Sequence, residues 1–237
     1  MELLIDGLKQ AFILIVTGDS LVVEATLRSL ETSGSAIVIS LVLGIPIGLL
    51  LALTRFPGRS FVVALFNAGM GLPPVVVGLF VALFLWRSGV LGFMGLMYTL
   101  SAMVIAQVII AMPLVTGLTV SAIQQLNPKL RLQSLALGAT KSQMVFTLIK
   151  EAKLTALAAV IAGFGAVISE VGAVMMVGGN ISGQTRVLTT AIVELVGKGD
   201  FSRAMALSFI LLAVTFAATY ALTHYQQKGT AIWRRIS

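Results

Sequence analysis

The stretch Asn127–Lys153, NPKLRLQSLALGATKSQMVFTLIKEAK, is the one long polar interruption in a chain that is otherwise mostly apolar. It reads as two short helices hinged at Gly138. Asn127 is a helix cap with Pro128 in the first turn behind it, and Gly138 suits the left-handed residue that ends such a helix. Thr140 and Gln143 have the spacing of a second start, in which the hydroxyl caps one end and the amide reaches back. Five basic residues lie here: Lys129, Arg131, Lys141, Lys150 and Lys153. A loop that only orients a membrane protein needs the charge alone. This one also keeps Leu130, Leu132, Leu135 and Leu137 before the glycine and Met144, Val145, Phe146, Leu148 and Ile149 after it. Such a mixture points to a folded, partly apolar docking element.

Outward from that stretch the chain is built for lipid. Of its 237 residues, 58% are hydrophobic and only 11% charged, against about 25% charged in a soluble domain. The mean hydropathy is +1.03. The expected class is an all-α, multi-pass integral membrane protein. The net charge of +7 then speaks to orientation rather than to nucleic acid. With no cysteine and one histidine, His224, thiol chemistry and a histidine metal site are excluded. No metal site and no catalytic set of nucleophile and base is expected. Glu2 and Asp6 precede the first lysine, the wrong polarity for a cleaved signal peptide.

Residues 1–31 mix apolar positions at helical spacing (Leu3, Leu4, Leu8, Phe12, Ile15) with Asp6, Lys9, Asp19, Glu24, Arg28 and Glu31. They are expected to form an amphipathic, extracytoplasmic or interfacial segment, the other reading being a first span with polar residues inside it. The transmembrane region is expected over 32–224, with five spans at about 33–54, 61–86, 99–121, 154–178 and 204–223, and the polar loop 127–153 between the third and fourth. Prolines mark expected kinks: Pro46 between Gly44 and Gly48, a place that either kinks the span or lets a neighbour approach closely, the pair Pro73-Pro74 in mid-span, and Pro113. An apolar piece, Val187 to Val196, sits in the loop before the last span. Residues 225–237 are expected to be a tail, with Trp233 as an interfacial anchor. If the N-terminus is outside, ten of the sixteen basic residues fall on the inner side, Arg234 and Arg235 among them, and the loop 127–153 is cytoplasmic.

Three features near the fourth span compete with duller readings. Glu170 is the only acid inside an expected span, which makes it either a pore or gate residue or a helix clamp to Arg186 or to backbone. Gly178–Thr185, GGNISGQT, imitates a phosphate loop, but Gln184 stands where the lysine belongs and no strand precedes it. Nucleotide binding is therefore not expected. The small residues of the span (Ala158, Ala159, Ala162, Gly163, Gly165, Ala166) serve close packing, while Gly178, Gly179 and Asn180 either end a helix or offer backbone N–H groups to an anion.

The same residues resemble a known family, the inner-membrane permease subunits of ATP-binding-cassette importers. These carry a cytoplasmic loop reading Glu-Ala-Ala, three residues, Gly, nine residues, Ile, one residue, Leu-Pro. With the glycine on Gly138, the first three positions fall on Leu132, Gln133 and Ser134 and the isoleucine on Leu148. Gly138, Ala139, Thr140 and Leu148 are similar to the pattern, whereas Leu132 and the Lys150-Glu151 pair depart from it. Leu72-Pro73-Pro74-Val75-Val76-Val77-Gly78, Ser169-Glu170-Val171-Gly172-Ala173 with Gly178-Gly179-Asn180-Ile181, and Val187-Leu188-Thr189-Thr190-Ala191-Ile192 look like segments of the molybdate, tungstate and sulfate permeases, the tungstate branch most of all. The resemblance covers about residues 34–224. It implies a type I importer permease fold of about five transmembrane helices with a cytoplasmic coupling helix. It further implies a homodimer in the inner membrane, cytoplasmic ATPase subunits docked around Gly138, and an extracytoplasmic oxyanion-binding protein. ATP would be used by the partner ATPase, with no cofactor in this chain. Glu170, Asn180 and Arg186 are the candidates for the translocation path or gate. Molybdate or sulfate import by the same family is the alternative, and a stand-alone secondary transporter a more distant one.

Overall fold

The computed structural model describes residues 2–233, all of whose regular structure is helical. Arg234 and Arg235 of the expected tail, and the side chain of Trp233, lie outside the described residues. Ten α-helices follow in order: α1 (Glu2–Thr17), α2 (Ser20–Leu53), α3 (Arg59–Gly69), α4 (Pro74–Leu85), α5 (Leu100–Gln124), α6 (Pro128–Ala136), α7 (Lys141–Ile168), α8 (Gly172–Gly178), α9 (Leu188–Gly197) and α10 (Phe201–Trp233). Three stretches are long and apolar enough to cross a membrane alone: α2, α5 and Phe201–His224 of α10. Two more crossings are available if the bent pairs count as one each. The α3–α4 pair turns through 104°, and α7 bends by 61° between Lys141–Lys153 and Ala156–Ile168.

Residues 20–31 do not stand apart from the apolar run that follows. They form the first turns of α2, because Gly18 (φ +63°) ends α1 and the Asp19 carboxylate accepts the Val22 N–H at 3.1 Å to start the next helix. The helix continues from Ser20 past Pro46, which removes one bond of the ladder without ending it, so charged Glu24, Arg28 and Glu31 ride on one continuous helix. At 34 residues α2 is about 51 Å long, well beyond the roughly 30 Å of hydrocarbon it has to cross. Helix α1 packs on α10, and Ala11, Ala206, Leu207 and Ile210 share one core cluster with Val22 and Ala25 of α2 and Leu188 and Ala191 of α9.

Helices α2 and α5 form the centre, and small residues set how closely they pack. A Cβ on Gly48 would lie 2.7 Å from Thr119 Cβ and 2.9 Å from the Thr116 carbonyl, and one on Gly44 would lie 3.0 Å from Thr116 Oγ1. Pro46 lies between these contacts and Pro113 in α5, and both helices run through their proline. Pro73 and Pro74 act differently. They form the N-cap and first position of α4, where the chain turns from α3. Beyond that corner Gly78 meets Ala173 of α8 so closely that a Cβ would come 2.5 Å from the Ala173 Cα. Val77, Val81 and Leu85 of α4, Met103 and Ala106 of α5, and Val174 and Val177 of α8 fill the core around this contact.

The apolar run 154–178 is divided. Helix α7 stops at Ile168 and α8 starts at Gly172, which leaves Ser169, Glu170 and Val171 at a break. The spacing of apolar residues gives no sign of that break. The carbonyl at its edge, Val167 O, accepts from the buried Gln107 amide of α5 at 2.9 Å, and such a satisfied carbonyl is what makes a broken helix tolerable in lipid.

Candidate functional site

The candidate side chains lie at three levels along the bundle. At one end stand α6 and the first turns of α7. Asn127 Oδ1 accepts the Lys129 N–H at 2.9 Å. Gly138 takes φ +81°, and two bonds close the helix end, Gly138 N–H to Leu135 O and Ala139 N–H to Ser134 O, both 3.0 Å. This is the double closure of a glycine-terminated helix. Thr140 and Gln143 form a reciprocal box, with Thr140 N–H donating to Gln143 Oε1 at 2.8 Å and Gln143 N–H to Thr140 Oγ1 at 3.3 Å.

The apolar residues of this unit divide between two surfaces. Leu148 is buried with Met144 and Ala152 against Ala122 and Ile123 of α5, with Leu49 and Leu53 of α2 alongside. By contrast Leu132, Leu137 and Phe146 are 67%, 88% and 58% exposed. Gln133, Gly138 and Thr140 are also exposed, and Ser134 and Ala139 half-buried. Of the positions in the loop pattern, Leu148 is thus the anchor of the unit, and Leu132, Gln133, Gly138 and Thr140 its outer face. Lys150 adds a cation 4.6 Å above the Phe146 ring.

Glu170 lies at the middle level, in the break. It is buried, 8% exposed. Its Oε1 accepts the Ala173 N–H at 2.9 Å, so the carboxylate caps α8, and its own carbonyl accepts from Thr189 Oγ1 of α9 at 2.9 Å. Ser29, Thr32 and Ser33 of α2, with Gln107 of α5, complete a polar seam around it. The carboxylate is on backbone and not on Arg186.

Arg186 belongs to the third level, at the end of the bundle far from α6. Its Nη2 lies 2.5 Å from Glu194 Oε2, and its Nε donates to Asn180 Oδ1 at 3.3 Å. Asn180 Nδ2 donates to the same Glu194 Oε2 at 2.6 Å, and Lys198 pairs with the other carboxylate oxygen. Asn180 holds φ +51° to make this turn. The Lys198 ammonium, hydrogen-bonded to the carboxylate, holds Glu194 below the ordinary glutamate range against its partial burial, and Asn180 and Arg186 add to the effect. Helix α9 is ten residues long, too short to span. The loop before it, 178–186, folds on itself: Thr185 Oγ1 donates to the Gly178 carbonyl at 2.5 Å and accepts the Ile181 N–H at 3.0 Å. Arg28 of α2 straps it down, donating to Gly183 O at 2.6 Å. Ser29 Oγ accepts the Leu188 N–H at 2.9 Å.

The structure therefore brings Asn180 and Arg186 together and sets Glu170 apart from them. Glu194, Lys198 and Arg28 escaped the sequence reading, although Glu194 and Lys198 carry one weak signal, an acid and a base four residues apart on a helix.

The bundle thus carries broken helices, an exposed apolar and basic face at one end and a charged loop at the other, on helices apolar enough to cross a membrane. Residues 44–229 match the family described as binding-protein-dependent transport system inner membrane component, and the chain belongs to it. It is 38% identical over 228 residues to the tungstate uptake system permease protein TupB of Peptoclostridium acidaminophilum, covering 96% of this chain and all of that one. It is 41% identical over 197 residues to a "Probable anion ABC transporter permease protein" of Haloferax volcanii, covering 81% and 85%. Its fold is similar to a chain of a bacterial alginate ABC transporter solved with its pentasaccharide-bound periplasmic protein, with a TM-score of 0.78 at 19% identity over 94% and 87% of the two chains. The five crossings available in the bundle are those of an inner-membrane, importer-type permease.

Proposed function

We propose that the chain is the permease of an ATP-driven importer for a tetrahedral oxyanion, with tungstate as its substrate. Two copies enclose one pathway, two cytoplasmic ATPase subunits dock on α6, and an extracytoplasmic binding protein delivers the anion. ATP is bound and used by the ATPase alone. The observation that carries this reading is the unit Asn127–Ala152. It is capped at both helix starts, closed at Gly138, anchored through Leu148, and presents apolar Leu132, Leu137 and Phe146 outward among basic side chains. Leu132, Gln133, Ser134, Gly138, Ala139 and Thr140 form its docking face. Closure of the ATPases moves this unit as one body, and α5 and α7, joined to its two ends, carry the motion into the membrane. The tungstate relative of similar length supports the choice of substrate. Glu170, capping α8 at the break, holds the hinge of the path. Asn180 and Arg186 stand at its outer mouth.

The test is co-purification of the full chain with a candidate ATPase subunit, together with uptake of tungstate, molybdate and sulfate in cells lacking this chain. Selective loss of tungstate uptake, and its loss again with Gly138→Asp, is the expected result. No co-purifying ATPase with intact transport by Gly138→Asp overturns the importer reading, and equal loss of all three anions overturns the choice of tungstate.

A further inference from the structure

We propose that Asn180, Arg186 and Lys198 form an oxyanion site that Glu194 occupies from within the chain. This rests on the reading that the chain handles tetrahedral oxyanions, and it adds where one is held and why it is released.

The donor set is the first argument. A guanidinium, a side-chain amide and an ammonium converge on the two oxygens of one carboxylate. Charge-assisted donors of these types are the ones proteins use for tetrahedral oxyanions, and guanidinium suits them by its planar fork. Within the cluster only Glu194 brings negative charge. Removing it leaves Arg186 and Lys198 facing the place of one carboxylate, with the Asn180 amide, which donates to Glu194 Oε2, turned to the same place. The carboxylate thus stands where an oxygen edge of the substrate would stand.

Space is the second argument. A pocket of about 340 Å³ borders the cluster, lined by Arg186, Glu194, Lys198 and Arg203 together with apolar residues such as Leu14 and Leu207. That volume is within the range of small-molecule sites. Arg186 and Glu194 are each about a fifth exposed at the side chain, so an anion arriving from solution reaches them. The one other acid on the wall, Asp19, is engaged in capping α2 through the Val22 N–H.

The third argument is what the carboxylate achieves. A transport site must bind well enough to admit the ion and weakly enough to release it. Two bare cations beside an amide would hold a dianion too long. An internal carboxylate competes for the same donors, so the dianion has to displace it and is displaced by it in turn. Glu194 is on this account a specificity and release residue, and the network is more than a clamp for the loop.

Equilibrium dialysis with tungstate decides the matter, using the full chain in detergent without any binding protein. The variant Glu194→Gln keeps size and hydrogen-bonding capacity while removing the charge. It is expected to bind tungstate about tenfold more tightly than the wild type, since two charge-assisted donors are freed. The double variant with Arg186→Gln is expected to lose the gain. Glu194→Asp, which keeps the charge and withdraws it by one methylene, is expected to show a smaller gain and serves where Glu194→Gln does not fold. Wild-type affinity in both single variants overturns the proposal, as does an equal gain for chloride, which marks unspecific charge. If wild-type cells import tungstate and the variants gain nothing, this inference alone fails. If the variants gain molybdate or sulfate binding while tungstate uptake is absent, the choice of tungstate fails and the site stands.

Discussion

At the α6 end, Asn127, Thr140 and Gln143 reach groups two or three residues away. At the opposite end Arg28 reaches Gly183 and Ser29 reaches Leu188, 155 and 159 residues along the chain. One end is closed by local rules and anchored by a few leucine and methionine contacts. The other is closed by side chains that meet only once the bundle has formed. The difference fits the roles proposed for the two ends: a lever is most useful when it moves as a preformed piece, and a mouth when its closure depends on how the helices stand.

The contrast leads to four expected outcomes, from the largest effect to the smallest. Gly78→Val places a side chain against the Ala173 backbone, where a Cβ alone would be 2.5 Å away. It should cost about 1–3 kcal/mol of stability through overpacking and disturb the far end while sparing the lever. Thermal inactivation in detergent checks this, and unchanged stability would show that α4 and α8 do not hold that end together. Gln107→Leu removes the donor to Val167 O at the helix break. Val167 O keeps its longer 3.3 Å bond from the Glu170 N–H, so the loss of the shorter bond should cost about 0.5–1.5 kcal/mol, offset in part because Gln107 Oε1 has no partner of its own. Faster amide exchange at Glu170 and Ala173 is the readout, and wild-type exchange there sinks the idea that Gln107 secures the break.

Thr140→Ala deletes half of the capping box and should cost about 1 kcal/mol. The loss should be confined to the first turn of α7, seen as local exchange without any change at α9. A change that spreads to α9 would erase the distinction between the two ends. The smallest effect is in acid. The folded-state pKa of Glu194 is depressed, chiefly by the Lys198 hydrogen bond. Its contribution is therefore fully present above the ordinary glutamate value of about 4.5 and is lost as pH falls through the lower, folded value. Stability measured from pH 7 downward should show this loss only below about pH 4.5, and Glu194→Gln should flatten it. A loss that begins near pH 6 would point to another group.

How much was legible in the sequence follows the same division. Asn127, Gly138, Thr140 and Gln143 could be read because caps and helix ends obey spacing within one turn. Gly44 and Gly48 were readable as a place of close approach, although not the partner, α5. Glu170 stood out as a lone acid, yet its role in capping α8 did not, because the apolar run around it looks continuous on both sides of the break. Asn180 and Arg186 were chosen for polarity beside glycines, and Glu194 offered only the weak signal of a lysine four residues on in a short, mostly apolar helix. Arg28 looked like an interruption of a membrane segment. Its value as a strap depends on a loop more than 150 residues away, and composition carries no information at that distance.

The length of α2 has a mechanical consequence. Leu49 and Leu53 near its end touch the cluster that holds the lever, while Arg28 and Ser29 near its start hold the loop and α9. Those two grips are about 37 Å apart along one unbroken helix, at 1.5 Å per residue. A tilt of about 5° around the lever end would carry Arg28 sideways by about 3 Å at that helix length, more than its bond to Gly183, now 2.6 Å, can lengthen before it passes about 3.2 Å. The helix is thus a pointer with a short throw at one end and a long one at the other. A rotation where α6 sits would act on the strap between Arg28 and the loop with the longest lever arm α2 offers.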